Sequence, residues 1–218
     1  MTTRRALAIA AAVLTVGYVV VDMLLQLASP QHSPISDAES NLAIGPLGWV
    51  MNLNFVGRGA MSVCLGVAIA LTGGRTPART TGVMLLIAGG ACSALLAVFV
   101  TDIGVASTPT GITHFVIAAI GFVLALGAIT VLTGWARGVL LRQLPLIIAF
   151  LAVAWLGFLA TVAAALVAPH VIGLLERICL VGILGWAFVV AVSLARLDPR
   201  GSPDPVSASH RDGPAPAR

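Results

Sequence analysis

Residues 144–168 read LPLIIAFLAVAWLGFLATVAAALVA, twenty-five positions without one charged side chain. A helix that crosses the hydrocarbon core of a bilayer needs about 20 mostly apolar residues, and this run has that length. A closed β-barrel is the other architecture that lipid tolerates, because no water is present there to satisfy an open backbone. Barrel strands, however, alternate polar and apolar positions over segments of about 10 residues. This run is apolar all round, so it predicts a membrane-spanning helix.

Five further stretches pass the same test. With the first they predict an all-α, polytopic membrane protein of six transmembrane helices, over approximately Ala6–Ala28, Gly45–Thr72, Thr80–Thr101, Gly111–Gly134, Leu144–Ala168 and Leu174–Arg196. The transmembrane domain then covers residues 1–196, and the Pro-, Ser- and Ala-rich remainder, 197–218, reads as a disordered tail. The whole composition agrees. Of 218 residues, 59% are hydrophobic and 9% charged, where soluble domains carry roughly 25% charged residues. A secretory signal is the competing reading of residues 1–29, but its apolar part exceeds the usual 7–15 positions.

The basic residues set the expected orientation. All twelve are arginine, and the net charge is +4. Arg4 and Arg5 precede the first segment, Arg75 and Arg79 follow the second, Arg137 and Arg142 follow the fourth, and Arg196 and Arg200 follow the sixth. The alternate loops hold His32, Asp37, Glu39, Asp102 and His170 and no arginine. The positive-inside rule therefore places both termini in the cytoplasm of a bacterial cell, in the cytoplasmic (inner) membrane. These arginines are scattered singly or in pairs, without the clustered basic face that nucleic-acid binding requires, so membrane lipids are the expected partners. Cys64, Cys92 and Cys179 lie within apolar runs and read as packing residues. Recurring glycines, among them Gly57, Gly59, Gly66, Gly82, Gly89, Gly90, Gly121 and Gly127, read as close helix contacts.

Ionisable side chains inside a membrane are costly and mark candidate functional sites. Here they gather toward the outer ends of the segments: Asp22, Arg58, Asp102, His114, Glu176 and Arg177. Arg58 is the deepest, thirteen residues past Gly45, or roughly 20 Å along a helix. The asymmetry predicts a polar pocket that opens outward above an apolar plug. Arg58 and Arg177 would bind an anionic head group, since arginine suits bidentate recognition of phosphate and carboxylate. Asp22 and Glu176 would balance their charge. A purely structural ion pair between Arg58 and one of those acids is a second reading. A membrane-embedded hydrolase or transferase using Asp102 and His114, with Ser36 as a candidate nucleophile, is a third. A small transporter using Asp22 and Glu176 is a fourth. Zinc would suit the enzyme reading, with Asp102, His114, His32 and His170 as candidate ligands, although no H-E-x-x-H pair is present.

Four stretches in order resemble the prokaryotic integral-membrane proteins of domain-of-unknown-function family 998. They are HSPISDAESNLAIGPLGWVMNLNFVGRG (32–59), FVTD (99–102), the histidine of GITHF (111–115) and GLLERICLVGILGW (173–186). The resemblance spans about residues 6–196 and points to Ser36, Asp102, His114, Glu176 and Arg177. Two positions depart from the family pattern. Val100 stands where a proline is usual, and a second histidine often seen further along the fourth segment is absent, with Ala118 one turn after His114.

Overall fold

A computed structural model describes residues 1–104 and 107–197. Six long helices make up the described chain: α1 Thr3–Ala28, α2 Gly48–Ala70, α3 Pro77–Leu96, α4 Pro109–Ala136, α5 Leu144–Val167 and α6 Ile172–Arg196. All six are long and apolar enough to cross a membrane, and no strand occurs among the described residues. The predicted tail, 197–218, lies outside the described residues except for Leu197.

Local chemistry starts the helices where the apolar runs begin. The hydroxyls of Thr2, Thr76 and Thr108 accept from the backbone N–H of Arg5, Arg79 and Gly111, and so cap α1, α3 and α4. Pro77 and Pro109 occupy first-turn positions, where no backbone N–H is needed. The third helix ends at Leu96, five residues before the expected Thr101. The reason is that the chain beyond it is tied to its neighbour: the Phe99 carbonyl lies 2.6 Å from His114 Nδ1, and the Asp102 carboxylate holds Thr108.

Consecutive helices pack on one another and α6 returns against α1, so the bundle closes. The start of α1 and the end of α6 meet where Arg4 Nη2 donates to the Leu197 carbonyl at 2.6 Å. α6 is the most enclosed helix. Trp186 on it is fully buried and donates from Nε1 to Thr133 Oγ1 on α4 at 2.9 Å. Glycine places the helices close together, but not always the expected ones. Gly59 on α2 faces Gly90 on α3, and Gly82 receives Leu132 of α4. Gly57 faces open space instead. The tightest approach is α5 to α6, where a Cβ on Gly157 would strike the Cys179 backbone and one on Gly182 the Ala154 backbone.

At the arginine-rich end, Arg79 is buried, although its place beside a loop suggests exposure. Its Nη1 donates to the carbonyls of Thr72 (2.6 Å) and Gly73 (2.9 Å), tying the loop after α2 to the start of α3. Hydrogen bonds from a charged donor contribute about 1.5–3 kcal/mol. Arg79→Ala is expected to lower stability by about 2 kcal/mol, read as a lower unfolding midpoint in detergent. An unchanged midpoint would show that solvent replaces these bonds at no cost.

Candidate functional site

The polar residues converge at the opposite end, where the long first loop folds down between the helix ends. A 3-10 turn, Glu39–Ala43, carries Glu39 into the bundle, where it is 4% exposed. Tyr18 on α1 donates its hydroxyl to Glu39 Oε2 at 2.8 Å, and the Glu39 backbone N–H donates to Glu176 Oε2 on α6 at 3.0 Å. Leu174 N–H donates to the Ile35 carbonyl at 3.0 Å, so the loop is stitched to the first turn of α6. Burial pushes the Glu39 carboxyl up from 4.5 to about 8. The nearby Asp22 and Glu176 carboxylates add to the rise, against the opposing pull of Arg58 and the Tyr18 hydrogen bond.

Beneath the turn lies a cavity of about 30 Å³, lined by Glu39, Ser40, Arg58, Ser93, His114 and Glu176 among others. That is room for a water or two, and the polar lining offers the partners a buried water needs. Arg58 reaches it from α2. Its Nε donates to Ser93 Oγ at 2.7 Å, Ser93 donates on to the Phe55 carbonyl at 3.0 Å, and the guanidinium lies 5.5 Å from the Tyr18 ring centre. That stacking over an aromatic face is a favourable setting for a cation.

A second and much larger space runs between α1 and the paired α5 and α6. It measures about 620 Å³, within the range of small-molecule sites. Its walls are mainly apolar, and Val16, Val20, Met23 and Val181 on them are exposed, so it opens on the outer surface of the bundle. Asp22, Gln26, Glu39 and Arg177 line it as well. Arg177 spends Nη1 on the carbonyls of Pro34, Asp37 and Gly173, at 3.1, 2.9 and 3.1 Å. Its Nε and Nη2 are buried and have no protein partner. Asp22 accepts from Gln26 Nε2 through Oδ2 at 2.9 Å, and its Oδ1 is also buried without a partner. Glu39 lines both spaces and separates them.

The model of a family described as a protein of unknown function, DUF998, matches residues 6–193. The chain belongs to the DUF998 family. Among curated proteins and solved structures, none matches it.

In this DUF998 protein the residues singled out from sequence fall into separate groups. Arg58, Glu176 and His114 share the small cavity, while Asp22 and Arg177 share the groove. Asp102 lines neither space. Its carboxylate accepts from Thr108 N at 2.7 Å and Thr108 Oγ1 at 2.9 Å, anchoring the start of α4. Gly111 packs against it, and a Cβ there would make that carboxylate shift. His114 is buried, with Nδ1 on the Phe99 carbonyl. Ser36 donates to Asp37 Oδ1 at 3.1 Å within the loop. His32 places Nε2 3.2 Å from the Ala38 carbonyl, and His170 is exposed between α5 and α6. Among the described residues, no three His, Cys, Asp or Glu side chains gather closely enough to hold a metal ion.

Three participants were not singled out from the sequence. Tyr18 looks like one more apolar position in α1, Ser93 like a small packing residue, and Glu39 like a solvated loop acid. A lone tyrosine hydroxyl in a membrane helix needs a partner when buried, which is the one signal that could have flagged Tyr18.

Proposed function

We propose that this is a multi-pass protein of the bacterial cytoplasmic membrane, with both termini inside, that recognises the head group of a lipid or other amphiphile in an outward-lying polar site. One observation carries the reading. The 620 Å³ apolar groove between α1 and α5/α6 carries two charged side chains, Asp22 and Arg177, on its lining. An amphiphile matches such a groove, with an apolar chain for its walls and a polar group for its charged residues. Arg177 and Asp22 are the contacts, and Arg58 and Glu176 support them from behind Glu39.

Val181 stands exposed on the groove wall, so a tryptophan there fills the groove without entering the core. Full-length protein purified in mild detergent is expected to retain membrane lipid. Val181→Trp should retain roughly fivefold less, equivalent to about 1 kcal/mol of affinity, at an unchanged unfolding midpoint. Equal retention by the two proteins, or none by either, would overturn the reading.

A further inference from the structure

The arginine-rich end of the bundle has an opening of its own. Between the start of α1 and the end of α6 lies a cleft of about 650 Å³, lined by Arg4, Arg5, Arg196 and Leu197 among others. Arg4 ties its two sides together through the Leu197 carbonyl, a bond that uses a single guanidinium N–H. Arg5 and Arg196 are exposed. Among the described residues no acid lines the cleft. The described acids, Asp22, Asp37, Glu39, Asp102 and Glu176, all lie toward the opposite end of the bundle. Residues 198–218 add three aspartates and three arginines, so they bring no net charge to offset the three cations.

Apolar surface adjoins those cations on both helices. Ile9 and Val13 follow Arg5 at spacings of four along α1, so the three share a face. Both are exposed, Val13 by 65%. Val192 and Phe188 precede Arg196 at the same spacing on α6, and Phe188 is exposed as well. A free phosphate ion would use the arginines alone. A phospholipid uses both features, with its phosphate on the forked guanidinium donors and its acyl chains on the apolar faces beside them. We infer that this cleft binds an anionic phospholipid and that the lipid bridges α1 to α6 where the bundle closes. Basic pockets between transmembrane helices hold phosphate-bearing head groups in this way. An ethanolamine or choline head group carries an ammonium that the arginines repel, whereas a glycerol head group leaves the phosphate charge unopposed. The site is independent of the groove, whose charged residues lie in the opposite halves of the same two helices.

The test uses the full-length protein in nanodiscs holding equal amounts of phosphatidylglycerol and phosphatidylethanolamine with identical acyl chains. Retained lipid is counted by native mass spectrometry. The wild-type protein should retain about fivefold more of the glycerol lipid than of the ethanolamine lipid. Arg5→Gln combined with Arg196→Gln should bring that ratio to about one. Both residues are exposed, and Arg4 is kept to hold α1 to α6, so this variant stays folded. Arg75→Gln combined with Arg137→Gln is the matched control. It removes the same charge from the same end, at exposed positions outside the cleft, and should keep the fivefold ratio. A wild-type ratio near one overturns the proposal, and so does a ratio that survives the loss of Arg5 and Arg196. An equal fall in the two double variants overturns it too, because the preference would then belong to the whole positive end and not to the cleft. Lipid in the groove is common to all three proteins, so the groove reading stands or falls separately on Val181→Trp.

Discussion

Stability of the wild-type protein is expected to fall as pH rises from about 5 toward 9, and Glu39→Gln is expected to abolish most of that fall. The direction follows from where Glu39 sits. The loop buries its carboxyl beside Asp22 and Glu176, which holds its pKa near 8 in the folded protein against 4.5 when free. A carboxyl raised in this way binds a proton more tightly folded than unfolded. Its stabilising contribution is complete below pH 4.5 and is lost as pH climbs through about 8. Over that window the loss is on the order of a few kcal/mol. Glutamine keeps an oxygen to accept the Tyr18 hydroxyl and carries no charge at any pH. The two unfolding curves, measured in detergent from pH 5 to 9, should therefore lie close together at the acid end. Above pH 8 the variant should be the more stable. Groups remote from Glu39 act equally on both proteins, so the difference between the curves reports Glu39 together with its coupling to Asp22 and Glu176. Parallel curves would mean that Glu39 is ionised in the folded state throughout and is stabilised by Arg58.

Gly182→Val is expected to remove the folded protein almost entirely. α5 and α6 touch backbone to backbone, with Gly157 and Gly182 on opposite sides of the contact. A valine at 182 would place carbon on the Ala154 backbone, which has no side-chain freedom with which to retreat. Overpacking of ordinary cores costs about 1–3 kcal/mol. Here the two helices must separate along their contact, and the groove beside them is lost as well. The expected result is a broad or absent monodisperse peak in size-exclusion chromatography. Gly57→Ala is the matched control. Its position is helical and faces open space, so exchange for a better helix former should be neutral or stabilising by up to about 1 kcal/mol. Recovery of Gly182→Val with a wild-type profile would mean that α5 is not seated on α6 as described.

These two results bear on function as well as stability. Glu39 lines both the groove and the inner cavity, so a change in its charge alters both spaces. The α5–α6 contact builds another wall of the groove.

How much of this was legible in the sequence differs from residue to residue. The six helices could be read within a few residues at nearly every end, because hydropathy over twenty positions is a property of the chain itself. The segment at 144–168 needs no partner to be recognised as a span, and the helix observed there runs 144–167. Family membership was legible too, since four stretches between His32 and Trp186 carry the resemblance and the family model matches residues 6–193. The gathering of Asp22, Arg58, His114, Glu176 and Arg177 toward one end of the bundle could be seen as a list of positions, but not as two separate spaces. Tertiary structure alone decided that Arg58 meets Ser93 and the Tyr18 ring, that Arg177 turns one nitrogen to the loop, and that Asp102 serves its own turn. Glu39 shows why. In sequence it is a loop acid like Asp37, two positions away, and nothing local says which of them is drawn beneath the helix ends. Gly157 and Gly182 likewise resemble Gly57 until α5 is laid against α6. Spans follow from transfer between water and lipid, which each segment undergoes largely alone. Depth, partners and cavities follow from which surfaces the helices bury against each other, and only the assembled bundle determines that.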